Sequence, residues 1–510
     1  MVLNSFPVIS LTLFMPVIGA IMIIFMPRED DRHIKYIAAA STFISLALSI
    51  LVFIAYDRSL GGMQFTEHIP WITDLGVSYA LGVDGISIPL LLLTNLIGFS
   101  AIYASWQVVE RVKEFFILLL ILITGVMGTF LTTDLFIFFL FYEVVVIPIY
   151  LLVIMWGSSK RVTKEYAGMK LTIYLLLGSA FLLTGIIALF IKAHALSGVA
   201  SMDLATLAGL EFPQGFQIWV FAFMALGFGT LLSMFPFHAW SPDGYAGAPT
   251  AVSMIHAGVL KKIGGYGLIR IGIYILPLGA KFIAPVIAVL AIGNIVYAAM
   301  ICLSQKDLKY IVGYSSVSHM GYVLIGIAAL NLVSLNGAVI MMFAHGIMAA
   351  LFFAMIGNLY EKSHTRNVED FGGLAHQMPR LATGFMLAGL ASLGLPGLVN
   401  FIGEFTIFIG AFKSYRALTI IAVLGIVLTA VYILRTLGDV LFGPRREEWD
   451  ELQDLRGPEM VPLIVLGSVI ILGGLYPLDI MNLINSGVGQ IIAQTDLHEI
   501  QAALWTGGIF

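Results

Sequence analysis

Charge is scarce in this chain. Asp, Glu, Lys and Arg make up only 11% of its 510 residues, against 59% hydrophobic. That balance excludes an ordinary soluble globular protein, in which roughly a quarter of the residues are charged. Cysteine is almost absent too: Cys302 alone permits no internal disulfide, and it cannot by itself hold an iron–sulfur cluster or a structural zinc. No P-loop, no dinucleotide-binding glycine fingerprint and no HExxH pair occurs. Redox chemistry associated with this chain therefore has to take place in another polypeptide. No basic stripe suggests nucleic acid, and a net charge of −4 says nothing about partners.

What the chain has in quantity is apolar sequence. Runs of about 20 residues follow one another almost end to end, each long enough at ~1.5 Å per residue to cross a hydrocarbon core ~30 Å thick. About 14 spans are predicted, near 8–26, 34–56, 84–106, 115–132, 135–156, 168–191, 216–238, 250–276, 282–303, 309–330, 334–360, 380–411, 415–441 and 460–484. The fold class is thus an all-α polytopic membrane protein. The first run lacks a small-residue cleavage site and leads into Pro27-Arg28-Glu29-Asp30-Asp31-Arg32, so it reads as a spanning helix and not as a cleaved signal peptide.

Lys and Arg favour cytoplasmic loops. The odd-numbered loops and their flanks carry 17 basic residues and the even-numbered ones 5, namely Arg58, Lys192, Lys281, Lys413 and Arg416. With 14 spans, both termini are expected outside the cytoplasm. The stretch from Gly157 to Lys164 should be cytoplasmic, and that from Gly198 to Gln214 external.

Two spans carry internal breakers beside polar groups, at Ser233-Met-Phe-Pro236-Phe-His238-Ala-Trp240-Ser-Pro242-Asp243 and at Gly394-Leu-Pro396-Gly397-Leu-Val-Asn400. Proline inside a spanning helix frees carbonyls that protein or water must satisfy, so such breaks line cavities. Broken helices five spans apart suggest inverted repeats, as in many ion transporters. The expected organisation is helices 1–3 in residues 1–110, a first inverted repeat (helices 4–8) in 111–280, a second (helices 9–13) in 281–445, and a C-terminal loop, helix 14 and tail in 446–510.

Within this frame a few ionisable residues sit at membrane depth, where a charge costs at least about 2.5–3.5 kcal/mol and usually marks an ion path. Glu143 lies near the middle of its span, with Pro148 able to open the backbone beside it. Lys261 and Lys262 are adjacent, so their side chains point ~100° apart and cannot share one face. Either lysine could exchange protons, or could merely snorkel or pair with an acid. His319 and His345 fall on consecutive spans between the lysines and the last acid; each could be a packing residue, but together they suggest a relay near neutral pH. No carboxylate or cysteine stands at ligand spacing from them, which argues against a metal. Glu404 follows the second break by about two turns, where water could reach it.

The strings Leu81-Gly-Val-Asp84-Gly-Ile-Ser, Phe141-Tyr-Glu143-Val-Val, Tyr314-Ser-Ser-Val-Ser-His319-Met-Gly, Tyr360-Glu-Lys-Ser-His364-Thr-Arg366 and Leu395-Pro396-Gly-Leu-Val-Asn400-Phe-Ile-Gly-Glu404-Phe closely resemble subunit M of bacterial NADH–quinone oxidoreductase, respiratory complex I, a relative of mitochondrial subunit 4. The resemblance covers nearly the whole chain. It implies a proton-pumping, antiporter-like subunit of the bacterial inner membrane, with two inverted half-channels joined by a central polar axis. Glu143 would then be the acid coupled to the neighbouring subunit, Lys262 the central lysine, His319 and His345 relay groups, and Glu404 the terminal exchange acid. No cofactor is expected in this chain; NADH, FMN, iron–sulfur clusters and quinone would belong to partner subunits. The expected partners are other membrane-arm subunits, including the antiporter-like L and N paralogues, together with the lipid bilayer and protons.

One departure stands out. The family pattern has a lysine seven residues before the histidine of its His-x-Trp-x-Pro-Asp string, paired with the glutamate of the fifth helix, and here His238 puts Leu231 at that place. The first proline of the pattern is replaced by Ser233. Either Lys261 supplies the missing charge from the next helix, or the subunit pumps differently or not at all. Two other identities share much of the pattern: a subunit of a multi-subunit Na⁺/H⁺ antiporter or membrane-bound hydrogenase, and a non-pumping spacer of the membrane arm. Co-purification with iron–sulfur and flavin subunits separates the first of these, and the absent lysine is the feature that favours the second.

Overall fold

A computed structural model describes residues 6–158 and 162–495. Lys160 and Arg161, two of the 17 basic loop residues, lie outside the described residues. Among the described residues, eleven helices are long and apolar enough to cross a membrane. In chain order, and including three further crossings, the spans are α1 (Val8–Ile24), α2 (Asp31–Ala55), α3 (Ser87–Ala104), α4 (Val112–Leu131), α5 (Leu135–Trp156), α6 (Lys164–Ser197) and α7 (Gln214–Leu231, resumed at Trp240–Gly247). Helix α8 runs from Thr250 through π turns at His256–Leu260 and Leu268–Ile273. It is followed by α9 (Pro277–Ser304), α10 (Leu308–Ala328), α11 (Leu332–Ser363), α12 (Pro379–Ser392, resumed at Val399–Ser414), α13 (Arg416–Phe442) and α14 (Gly457–Leu475). The three that fall short of a regular 18-residue apolar helix are α1, with 17 residues, α8, interrupted by π turns and three cations, and the broken α12.

The loops sort onto two faces in the alternation that 14 crossings require. On one face Lys113 donates to the carbonyls of Ile24 and Met26, Ser158 to Gly247, Leu308 to Arg366, and Lys362 to Gln453, which joins odd loops only. On the other, Thr133 donates to Ala80, Leu135 to Met202, Asn331 to Gly410, and Arg58 pairs with Asp479.

Two features differ from the sequence reading. Gln64–Ile72 (β1) and Val77–Val83 (β2) form an antiparallel hairpin between α2 and α3, so the architecture is helical with one small sheet on the even-loop face. The apolar run 460–484 is two helices and not one: Pro477 ends α14, and Leu478–Gln494 (α15) follows as a separate amphipathic helix. Its Gly487 packs on Ile86 and its Leu483 carbonyl on Gly85, backbone against backbone.

Helices α10 and α11 form the centre; every residue in the most apolar stretch of α11 is buried. The lipid-type surface lies on α6, α13 and α14, where Ile173, Ile187, Leu424, Val427, Ile464 and Leu472 are exposed. This inversion, polar inside and apolar outside, is what a bilayer solvent selects.

Candidate proton line in the membrane core

The breaks are what bring polar atoms into the core. In α7, Ser233 adopts a left-handed conformation (φ 63°), and the freed backbone is caught by one side chain from α9: Asn294 donates to the carbonyl of Ser233 at 2.8 Å and accepts from the N–H of Phe235 at 2.6 Å. In α12, Gly394 (φ 68°) and Gly397 (φ 94°) take conformations in which a side chain would be strained. There the broken end leaves the carbonyl of Ser392 free to accept from His319 Nε2 at 3.0 Å. Glu404 folds back against Gly394, where a Cβ would strike its carboxylate. The glutamate is 4% exposed, so the break serves as its wall and not, as the sequence suggested, as its open door to water.

Four of the sequence-derived residues form one buried line. Lys262 Nζ lies 2.9 Å from His345 Nδ1 and also donates to the carbonyl of Ala257, in the π turn just behind it. The rings of His345 and His319 are 5.3 Å apart, centroid to centroid. His319 Nε2 is 3.8 Å from Glu404 Oε1. Lys262, His345 and His319 are wholly inaccessible to solvent. His319 also places Nδ1 2.7 Å from the carbonyl of Ser315. Two carbonyls can both be satisfied only when both ring nitrogens carry hydrogen, so the site holds an imidazolium without strain. Tyr432 extends the cluster by donating to Ser315 Oγ at 2.9 Å. Nε2 of His345 is buried without a hydrogen-bond partner among the described residues.

Lys261 points elsewhere, as its ~100° offset requires. Its Nζ lies 3.4 Å from Ser316 Oγ of α10 and 5.2 Å above the ring of Tyr245, in the second half of α7. Tyr245 also packs on His256, which stacks on Trp240. Sequence reasoning passed over both Tyr245 and His256; the only signal was a histidine five residues before Lys261 in an otherwise apolar run.

Glu143 takes no part in the line. Among the described residues it forms no ion pair, and its Oε1 is buried without a hydrogen-bond partner. Ile147, one turn on, is 66% exposed, so this side of α5 faces out of the bundle. Leu231 is fully buried and brings no charge to it. No group of three or more metal-ligating side chains occurs among the described residues.

The sequence profile described as "NADH:quinone oxidoreductase/Mrp antiporter, TM" matches residues 132–429. The chain is 39% identical over 484 residues to "NAD(P)H-quinone oxidoreductase chain 4 1" of Synechococcus sp. (strain JA-3-3Ab), covering 93% of this chain and 90% of that protein. It is 35% identical over 501 residues to "NADH-quinone oxidoreductase subunit M" of Rickettsia bellii (strain RML369-C), covering 96% and 99%. A chain of the respiratory complex I from Thermus thermophilus with bound NADH shares its fold with a TM-score of 0.84 at 26% identity, covering 98% of this chain and 100% of that one.

Proposed function

The chain belongs to the membrane family shared by NADH:quinone oxidoreductases and Mrp antiporters, and we propose that it moves protons along the line Lys262, His345, His319, Glu404. It is an antiporter-like, proton-translocating membrane subunit of a complex I-type NAD(P)H–quinone oxidoreductase. It works as one component among other subunits, and the cofactors of the complex reside in those others.

The observation that carries the reading is continuity: four ionisable groups from α8, α11, α10 and α12 meet in sequence without an exposed member. The Lys262 ammonium gives its proton to Nδ1 of His345. His345 releases one from Nε2 through a bridging water to His319. His319 then delivers to Glu404, whose carboxylate ends the line against the α12 break. Glu143, on the opposite flank and turned outward, fits an acid that the neighbouring subunit completes. Lys261 fits a replacement for the cation missing at Leu231.

In this reading NADH, FMN, iron–sulfur clusters and quinone are bound by partner subunits, and the L and N paralogues flank this one. The membrane is the bacterial inner membrane, with both termini outside. The helices divide into the repeats 111–280 and 281–445, each containing one broken helix. Electron transfer elsewhere drives the line through changes in charge and hydration passed between subunits. The test is proton uptake per quinone reduced in liposomes carrying the purified complex. His319→Asn should lose pumping while the complex still assembles; an unchanged ratio would refute the line.

A further inference from the structure

Asn400 is a polar side chain that the proton line leaves unused. It is fully buried, and among the described residues neither its Oδ1 nor its Nδ2 has a hydrogen-bond partner. A buried polar group left unpaired costs free energy that an apolar side chain of the same shape would not. Packing alone therefore does not account for an amide at this position.

Close contacts between the second half of α12 and the first half of α11 fix what Asn400 faces. The two run antiparallel in tight register: a Cβ on Gly403 would lie 2.9 Å from Met341 Cα, one on Gly337 would lie 2.6 Å from the Ile407 nitrogen, and one on Gly410 would strike the Ser334 nitrogen. Residue numbers fall along one helix as they rise along the other, so the next turn sets Asn400 opposite Ala344 and beside His345. Nε2 of His345 is likewise buried without a partner. Asn400 also precedes Glu404 by four residues and so stands on the same side of α12. The opposite nitrogen of the His345 ring is committed, since Nδ1 meets Lys262 Nζ at 2.9 Å. His319 does not orient Nε2 of His345, because its own Nδ1 and Nε2 are turned to the carbonyls of Ser315 and Ser392 at 2.7 and 3.0 Å.

We propose that Asn400 is the positioning residue of His345, its amide hydrogen-bonding Nε2 directly or through one water and turning over to suit whichever tautomer the ring adopts. This rests on the proton line proposed above and concerns its second member. While Lys262 keeps its proton, Nδ1 is bare and Nε2 carries hydrogen, which the amide oxygen accepts. When Lys262 gives its proton to Nδ1 and Nε2 releases one towards His319, the amide nitrogen donates to the bare Nε2. Asn400 neither gains nor loses a proton; one N–H bond breaks on the lysine and one on the imidazole, and one forms on each histidine. An ionised carboxylate could only accept and would hold His345 charged, whereas an amide serves both states of the ring.

The whole complex, purified and reconstituted in liposomes, tests this through proton uptake per quinone reduced, measured in H₂O and in D₂O. Asn400→Leu keeps the size and removes both polar atoms. It should assemble to normal content and lower proton uptake about tenfold, the worth of one hydrogen bond in a barrier. Its solvent deuterium isotope effect should rise as proton movement at His345 becomes the slow step, a change that a merely structural residue would not cause. Asn400→Ser, whose hydroxyl both donates and accepts, should retain more uptake than Asn400→Ala. Normal uptake in Asn400→Leu, alongside loss in Lys262→Met, would overturn the role of Asn400 and leave the line standing. Normal uptake in Lys262→Met as well would remove the line itself. Should Asn400→Leu fail to assemble, the two small variants decide: equal uptake in Asn400→Ser and Asn400→Ala overturns the proposal.

Discussion

Lys262 Nζ and His345 Nδ1 meet at 2.9 Å in a core that excludes solvent from both residues. An ammonium donates and cannot accept, so this contact requires a bare nitrogen on the imidazole. Two protonated groups at that distance would repel strongly in a low dielectric. The pair therefore favours one proton between them over two, as the proposed proton line requires.

The acids at the ends of the path are expected to fail in a coupled way. Glu404→Ala and Glu143→Ala should lower pumping and donor–quinone activity together, because tightly coupled steps cannot proceed separately, while Glu→Asp at either place should be milder. Assembled complexes that pump normally after either alanine change would remove the proposed role of that acid.

Lys261 offers a test of compensation. Lys261→Met should be nearly as damaging as loss of the central lysine, and adding Leu231→Lys should restore part of the activity by returning a cation towards Glu143. Near-normal pumping in Lys261→Met would show that this lysine only packs against Tyr245 and Ser316.

On the opposite face, Asp84 and Arg270 form an ion pair at 3.2 Å that is 2% and 8% exposed. Removing one member strands a buried charge, at a cost of about 3–5 kcal/mol, whereas removing both is far milder. Arg270→Leu should therefore sharply reduce the amount of assembled complex, and Asp84→Asn combined with Arg270→Leu should recover much of it. Equal losses in the single and double variants would contradict this.

Much of this was legible in the sequence because lipid is an unforgiving solvent. Apolar runs marked the crossings, and the rarity of charge made Lys262, His319, His345 and Glu404 conspicuous. Other features depended on neighbours far away in the chain. The run 460–484 looked continuous because apolar composition persists past Pro477, although the helix does not. The β1–β2 hairpin is short and lies among helices whose hydropathy dominates any window. The π turn at His256–Leu260, whose Ala257 carbonyl accepts from Lys262, is announced by no residue type.

Orientation can be read directly from labelling. The proposed orientation puts Ser158 in the cytoplasm and Val199 outside, and both are exposed. In intact cells an impermeant thiol reagent should label Val199→Cys and spare Ser158→Cys, with buried Cys302 silent. The reverse pattern would invert the topology.

The central claim turns on Lys262. In reconstituted complex carrying Lys262→Met, proton uptake driven by quinone reduction should fall by roughly a hundredfold, the lower end of what a positioned proton-transfer group contributes, with the complex present at its usual level. A normal ratio of protons to quinone reduced in that variant would contradict the account.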